Sequence, residues 1–404
     1  MQKQLRSVIP ILAAGLDAGA IKGRGTAWAT PHRFSRHTSE TFDDGWGTLE
    51  ETHGRPKFPH PPWGADDVCR RPGGSVEQQA DERELAPRTQ IIEERVKSIL
   101  TSNDSPDIAF DLSINPYRGC EHGCVYCFAR PTHSYLNLSP GLDFETRIVA
   151  KVNAAQQLRQ AFASRAYEPA MLNLGSATDA YQPVERKLLI TRGIVEVLAE
   201  CSHAFSLVTK SSGVERDLDL IAPMAARGLV AVYVSLTTLD PALARIMEPR
   251  AASPQRRLQT IQTLALAGVP VGVSVSPVIP FINEPELERI LEAAAQAGAS
   301  RAFSVVLRLP WEVNPIFQQW LECHFPQRAA RVMARVRDMR GGRDYDARFG
   351  SRMSGQGVWA QLLRQRFDKA VARLGLDRER VPLDLSQFRK PQSQVDAAQR
   401  DLFA

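Results

Sequence analysis

Between about residue 90 and residue 310 the sequence switches period repeatedly, from short apolar runs to segments with helical spacing and back. The apolar runs are Ile108–Ile114, Met171–Leu174, Phe205–Thr209, Leu229–Leu236, Val269–Val275 and Phe303–Leu307. They are near-continuous rather than alternating, as strands are when both faces are covered. Between them, Arg147–Phe162, Val184–Leu198, Leu218–Ala226, Leu258–Ala267 and Pro285–Gln296 place apolar residues at helical intervals. Six strands with a helix between each consecutive pair dictate an α/β domain with a parallel sheet and crossover helices. The pattern alone fits an open doubly wound sheet or a partial barrel. In both, the functional site belongs at the C-terminal ends of the strands.

The flanks read differently. Residues 1–90 lack sustained periodicity and carry runs such as Pro59-His60-Pro61-Pro62, which predicts a loosely ordered arm. Residues 91–310 form the core, and 311–404 a helical, Arg/Gly-rich extension with helices near 315–339 and 359–374. The 404 residues hold 50 Lys and Arg against 45 Asp and Glu, a net charge of +5 that does not by itself select nucleic acid. Residues 331–370 hold ten basic and four acidic residues, so the excess is local. No run of apolar residues is long enough for a membrane span. Val8–Leu16 faintly follows the pattern of a signal peptide, but Pro10 and Asp17 interrupt it, and a cytoplasmic protein is expected.

Six cysteines in a chain of this length do not make a disulfide scaffold. Three of them stand together in Cys120-Glu121-His122-Gly123-Cys124-Val125-Tyr126-Cys127, just after the first apolar run. Three thiolates so close repel one another unless a metal holds them. Thiolates suit iron–sulfur clusters and zinc. A [4Fe–4S] cluster normally takes four cysteines, so three would leave one iron open to a ligand. The alternative is a zinc knuckle completed by His133 or His122.

The segment Asn115-Pro116-Tyr117-Arg118-Gly119-Cys120 through Cys127 resembles the radical S-adenosylmethionine (SAM) superfamily, and within it the branch related to spore photoproduct lyase. The resemblance implies a partial (β/α)6 barrel of the radical SAM type and a [4Fe–4S] cluster on Cys120, Cys124 and Cys127. It also implies SAM chelated at the open iron and cleaved reductively to a 5'-deoxyadenosyl radical, with a flavodoxin or ferredoxin as reductant. Tyr126, beside the last cysteine, belongs to the cofactor-binding set. The superfamily's glycine-glycine-glutamate signature is replaced by Gly175-Ser176-Ala177-Thr178-Asp179, where Ser176 and Thr178 are expected to contact SAM. Lys210, ending the third strand, is expected to pair with the SAM carboxylate, and Ser235, ending the fourth, to face the cofactor. Ser274 and Ser276 lie on the fifth strand, and one of the two is expected inside. Glu248, Arg250 and Ser253 match a branch pattern but stay outside this set.

The substrate is not readable. Nucleic acid is the alternative suggested by Arg340, Arg343, Arg348 and Arg352 interleaved with Tyr345 and Phe349. Spore photoproduct lyases need a cysteine hydrogen donor, and neither Cys201 nor Cys323 sits at a strand's C-terminal end. A non-catalytic nucleic-acid adaptor holding zinc or a cluster is the remaining reading.

Overall fold

The computed structural model describes residues 23–26, 30–34, 88–376 and 381–391. Among these, the strands in chain order are β1 (Gln90–Glu94), β2 (Leu100–Ser102), β3 (Leu112–Ile114), β4 (Tyr117–Arg118), β5 (Arg147–Lys151), β6 (Leu172–Leu174), β7 (Phe205–Thr209), β8 (Val230–Ser235), β9 (Val271–Val278) and β10 (Arg301–Val306). The main sheet runs β10-β9-β8-β7-β6-β3-β2. Six of its strands, β3 and β6 through β10, pair in parallel, and β2 adds an antiparallel edge to β3. β10 does not return to β3, so the sheet is a partial barrel with an open seam. These six strands fall on the six apolar runs of the sequence, with ends shifted: β3 is shorter than its run, β9 continues to Val278 and β10 begins at Arg301. Burial of Leu174, Leu207, Val232 and Val273 against Ile194, Ile221, Ile261 and Ile290 of the crossover helices forms the core. Each such side chain contributes about 1.5–3 kcal/mol.

Two helix expectations are corrected. Arg147–Phe162 is not one helix. Its first part is β5, and the helix is Ala154–Ala163. Ile148 and Val149 favour a strand once partners exist, and β1 and β4 supply them on either side. Asn153 separates the two elements, its side-chain amide exchanging two 2.9 Å hydrogen bonds with the backbone of Val96. Likewise Val184–Leu198 breaks at Leu189, whose φ is 55°. The buried Glu185 carboxylate accepts the backbone N–H of Thr191 at 3.0 Å and of Arg192 at 3.3 Å, so the helix restarts as Ile190–Glu200.

In the small sheet β1-β5-β4, strands β4 and β5 come between the first two parallel strands in sequence, on either side of the cysteine loop, and β1 precedes both. Two pieces of the N-terminal arm, residues 23–26 and 30–34, dock on the core, while Pro59–Pro62 and residues 1–20 lie outside the described residues. Arg24 Nη1 donates to Glu145 O at 2.8 Å, and Gly25 N–H donates to the Glu145 carboxylate at 2.7 Å. Arg33 pairs with Glu312 at 2.8 Å. C-terminal to β10 the described helices are Val313–His324, Pro326–Asp338, the single turn Ser351–Ser354 and Gly357–Leu374. No described helix is long and apolar enough to cross a membrane.

Candidate active site

The cysteine loop leaves β4 at the C-terminal end of the parallel strands, and hydrogen bonds hold much of its backbone. Cys120 N–H donates to Phe144 O at 2.9 Å, and Val125 N–H to Met247 O at 3.1 Å. Gln182 clamps the loop from the next motif, accepting Glu121 N–H at 2.9 Å and donating to Gly119 O at 3.2 Å. Arg130, fully buried, donates Nε to Cys124 O at 2.9 Å and Nη2 to Gly123 O at 3.1 Å, and pairs with the buried Glu145 at 2.5 Å. This places Cys120 and Cys124 in the interior and Cys127 at its edge, all three as free thiols.

The donor set fits an iron–sulfur cluster. Burial is the main force raising the Cys124 thiol to about 12, and it pushes Cys120 up as well, with the neighbouring cysteines adding to both. Thiols in such a place ionise only when a metal supplies the positive charge. Among the described residues no three His, Cys, Asp or Glu side chains converge on a single-ion position. His133 is a buried imidazole whose Nε2 lies 3.0 Å from Arg147 O and whose ring packs edge-on against Phe144. Burial lowers its pKa.

Tyr126 turns inward, and its hydroxyl donates to the Glu248 carboxylate. Glu248 also accepts Thr237 Oγ1 at 2.8 Å and pairs with the buried Arg257, which in turn donates to Ser235 O at 3.1 Å and Ala252 O at 2.7 Å. Burial opposes the charge on Glu248, but Arg257 and Lys210 outweigh it and hold the carboxyl below its ordinary range. Tyr126 and Ser235 are therefore joined through one buried network, whose centre, Glu248 and Arg257, sequence reasoning left out. The adjacency of Glu248-Pro249-Arg250 to the branch pattern was the available signal.

Lys210 lies just past β7, with Nζ 5.8 Å over the ring of Tyr126. Burial works against its charge, but Cys124 and Glu248 face it and raise its pKa overall. Thr178 is 7% exposed and its Oγ1 has no hydrogen-bond partner. A buried hydroxyl without an acceptor or donor is an exception in a folded protein. Ser176 is half-buried and engaged, exchanging a hydrogen bond with the Asn115 side chain at 3.1 Å. Gly175, with φ of 83°, makes the turn that brings both to the strand end. Asp179 does not face outward as a ligand. It accepts Thr209 Oγ1 at 2.8 Å and Lys210 N–H at 2.7 Å and lies 3.3 Å from His122 Nδ1. Burial pushes its pKa up, yet His122 and these donors hold it at about 2.

Ser274 and Ser276 do not divide between inside and outside. Their hydroxyls are 3.1 Å apart on one face of β9, because residues two apart on a strand share a face. The arginines of the C-terminal segment are largely committed within the fold. Arg348 pairs with Asp346 at 3.0 Å, Arg352 with Asp107 at 2.5 Å, and Arg340 is buried. Cys201 is buried at the end of the helix Ile190–Glu200, and Cys323 lies on Val313–His324.

The comparisons agree with this geometry. A family model described as the radical SAM superfamily matches residues 114–294. An uncharacterized protein of Mycobacterium tuberculosis is 38% identical over 226 residues, which is 55% of this chain and 66% of the relative. The chain thus spans just under two thirds of that relative's length. An uncharacterized protein of Methanocaldococcus jannaschii is 25% identical over 199 residues, covering 49% of this chain and 71% of its own. Among solved structures, spore photoproduct lyase complexed with dinucleoside spore photoproduct superposes with a TM-score of 0.51 at 16% identity, over 71% of this chain and 80% of that one. A spore photoproduct lyase variant with bound AdoMet and dinucleoside spore photoproduct gives 0.51 at 16%, over 77% and 87%. At that identity the likeness is one of fold.

Proposed function

We propose that this chain, which the radical SAM superfamily model matches over residues 114–294, is an enzyme of that class and that Cys120, Cys124 and Cys127 hold a [4Fe–4S] cluster with one iron left for SAM. The observation that carries the reading is the three free thiols, two buried and Cys127 at the edge, on a loop fixed at the C-terminal ends of the parallel strands. When bound, the cluster and SAM supply reductive carbon–sulfur cleavage and hydrogen-atom abstraction from the substrate. The chain's own residues position and shield. Thr178 offers its unpartnered hydroxyl to the amino group of SAM, with Ser176 beside it. Lys210 presents a cation for the SAM carboxylate, next to the thiols that most need one. The network of Tyr126, Glu248, Arg257 and the Ser235 carbonyl fixes the floor beneath them, and its burial excludes water. A flavodoxin- or ferredoxin-type protein supplies the electron.

Anaerobic reconstitution tests this directly. The expected result is about four irons per chain and, with dithionite, 5'-deoxyadenosine from SAM. Cys120→Ala, Cys124→Ala and Cys127→Ala should each lose both while remaining folded. Bound zinc with no SAM turnover would overturn the enzyme reading in favour of a structural adaptor. Nucleic acid as substrate draws support from the dinucleoside named with the structural neighbours and from the exposed rings of Phe34, Phe128, Tyr135, Trp311 and Phe349. The pairing of Arg348 and Arg352 with acids removes the basic stripe that a sequence reading would assign to phosphates.

A further inference from the structure

Arg308 stands two residues past the end of β10, at the same end of the barrel as the cysteine loop. Its guanidinium carbon lies 5.3 Å over the ring of Phe128, the residue after Cys127, and that ring is 48% exposed. One Nη group reaches Met353 Sδ at 3.5 Å, a weak acceptor. The Nε–H is buried without an acceptor, and among the described residues Arg308 has no carboxylate partner. Behind it lies Arg340, 1% exposed, whose Nη groups donate to Leu307 O at 2.7 Å and Ser351 O at 2.8 Å. The Arg340 Nε–H also has no acceptor. Burial first, then the proximity of Arg308, pulls Arg340 down to about 10. Asp346, the acid facing Arg340, is occupied by Arg348 Nε and Nη2 at 3.0 Å each. Two adjacent guanidinium groups with spare donors and no free acid are costly unless an anion joins them.

We propose that Arg308, backed by Arg340 and seated on Phe128, binds an oxyanion of the substrate, a carboxylate or phosphate, and so positions the substrate beside the Cys127 edge of the reaction centre. The proposal rests on the radical SAM reading of that centre. A neutral substrate would leave Arg308 desolvated and unpaired. A doubly hydrogen-bonding oxyanion satisfies its Nε–H and one Nη together.

The test uses the full-length, reconstituted enzyme and phenylglyoxal, which modifies accessible guanidinium groups. Labelling of Arg308 and of the exposed Arg343 is followed by peptide mass spectrometry. Excess inorganic phosphate or acetate should slow labelling of Arg308 by at least about fivefold relative to chloride at equal ionic strength, leaving Arg343 unchanged. Protection by phosphate alone assigns a phosphate, and protection by both assigns a carboxylate-sized site. Equal labelling with and without the anions overturns the proposal, as does an Arg308 that never reacts. Protection of Arg308 by SAM alone also overturns it, because the arginine would then serve the cofactor. The same preparation is assayed for 5'-deoxyadenosine. A preparation that forms none overturns the underlying reading and the proposal with it, whereas SAM cleavage without anion protection overturns the proposal alone.

Discussion

Thr178 carries a buried hydroxyl that the protein itself leaves unanswered. A purely structural threonine there would be a liability, since a lone buried hydroxyl costs about 1–3 kcal/mol. Thr178→Val removes the unsatisfied oxygen at nearly constant shape. The variant should therefore be as stable as the parent or slightly more so, while its affinity for SAM falls by about tenfold, the value of one hydrogen bond to a charged group. Thermal melts and equilibrium SAM binding check the two halves. A stability loss with unchanged SAM binding would give Thr178 a structural role. Residues of this kind are legible in sequence because their motif is local: three cysteines, Thr178 and Lys210 each sit at a strand end that the period of the chain announces. Glu248 and Arg257 are not legible in that way. Glu248 ends one helix and Arg257 lies in the first turn of the next, each reads as an ordinary charged residue, and only the fold brings them under Tyr126, more than a hundred residues away.

Elements show the same division between local and distant causes. The parallel strands announce themselves because each is covered on both faces, but β5 does not. Its Ile148 also satisfies a helical count, and it becomes a strand only because β1 and β4 arrive from elsewhere. The docked piece of the arm is invisible in sequence for the same reason. Gly25 packs against Gly123 so closely that an added Cβ would lie 1.8 Å from Gly123 O. Gly25→Val should therefore unseat residues 23–26, strip a charge-assisted hydrogen bond from Glu145, and speed tryptic cleavage at Arg24 with partial loss of iron on gel filtration. Wild-type cleavage and iron retention in that variant would show that the arm is dispensable to the loop. A second element-level prediction concerns His203, at the junction of the helix Ile190–Glu200 with β7. Its Nδ1 lies 2.8 Å from Ala204 O and its Nε2 2.7 Å from the Tyr167 hydroxyl, and its ring stacks on Phe162 at 4.7 Å. Burial lowers its pKa from 6.5 to about 4. The unfolded chain then binds the proton first, so this group's contribution is complete above about pH 6.5 and is lost as pH falls toward 4. That amounts to about 3 kcal/mol. Urea unfolding across this window should show a slope in the parent that His203→Asn lacks, with the variant weaker at neutral pH.

At the scale of the whole molecule, the open seam of the barrel explains what the basic C-terminal segment does. β10 and β2 are the free edges of the main sheet, and no hydrogen-bond ladder joins them. Residues 340–357 span the gap instead. Arg340 is tied to the carbonyl just beyond β10, and at the other end Asp107, in the loop between β2 and β3, accepts Arg352 Nε at 2.7 Å, Arg352 Nη2 at 2.5 Å and Gly350 N–H at 3.1 Å. The pair is largely shielded, with side-chain exposures of 14% and 9%. Charge counting along the sequence reads Arg352 as a phosphate contact because the acid that neutralises it is 245 residues away. The fold makes it the clasp between the first and last strands. Asp107→Asn keeps the shape and one acceptor but removes the charge from a desolvated bidentate pair. It should cost about 2 kcal/mol and lower Tm by roughly 5 °C, with hydrogen exchange rising in 340–357 and at β2 but not in the helix Leu218–Ala226 on the far side. Arg352→Gln should cost a similar amount, and the double variant no more than either alone, since both remove one contact. Additive losses would mean that the segment is held by its general packing and that the ion pair is incidental to closing the seam.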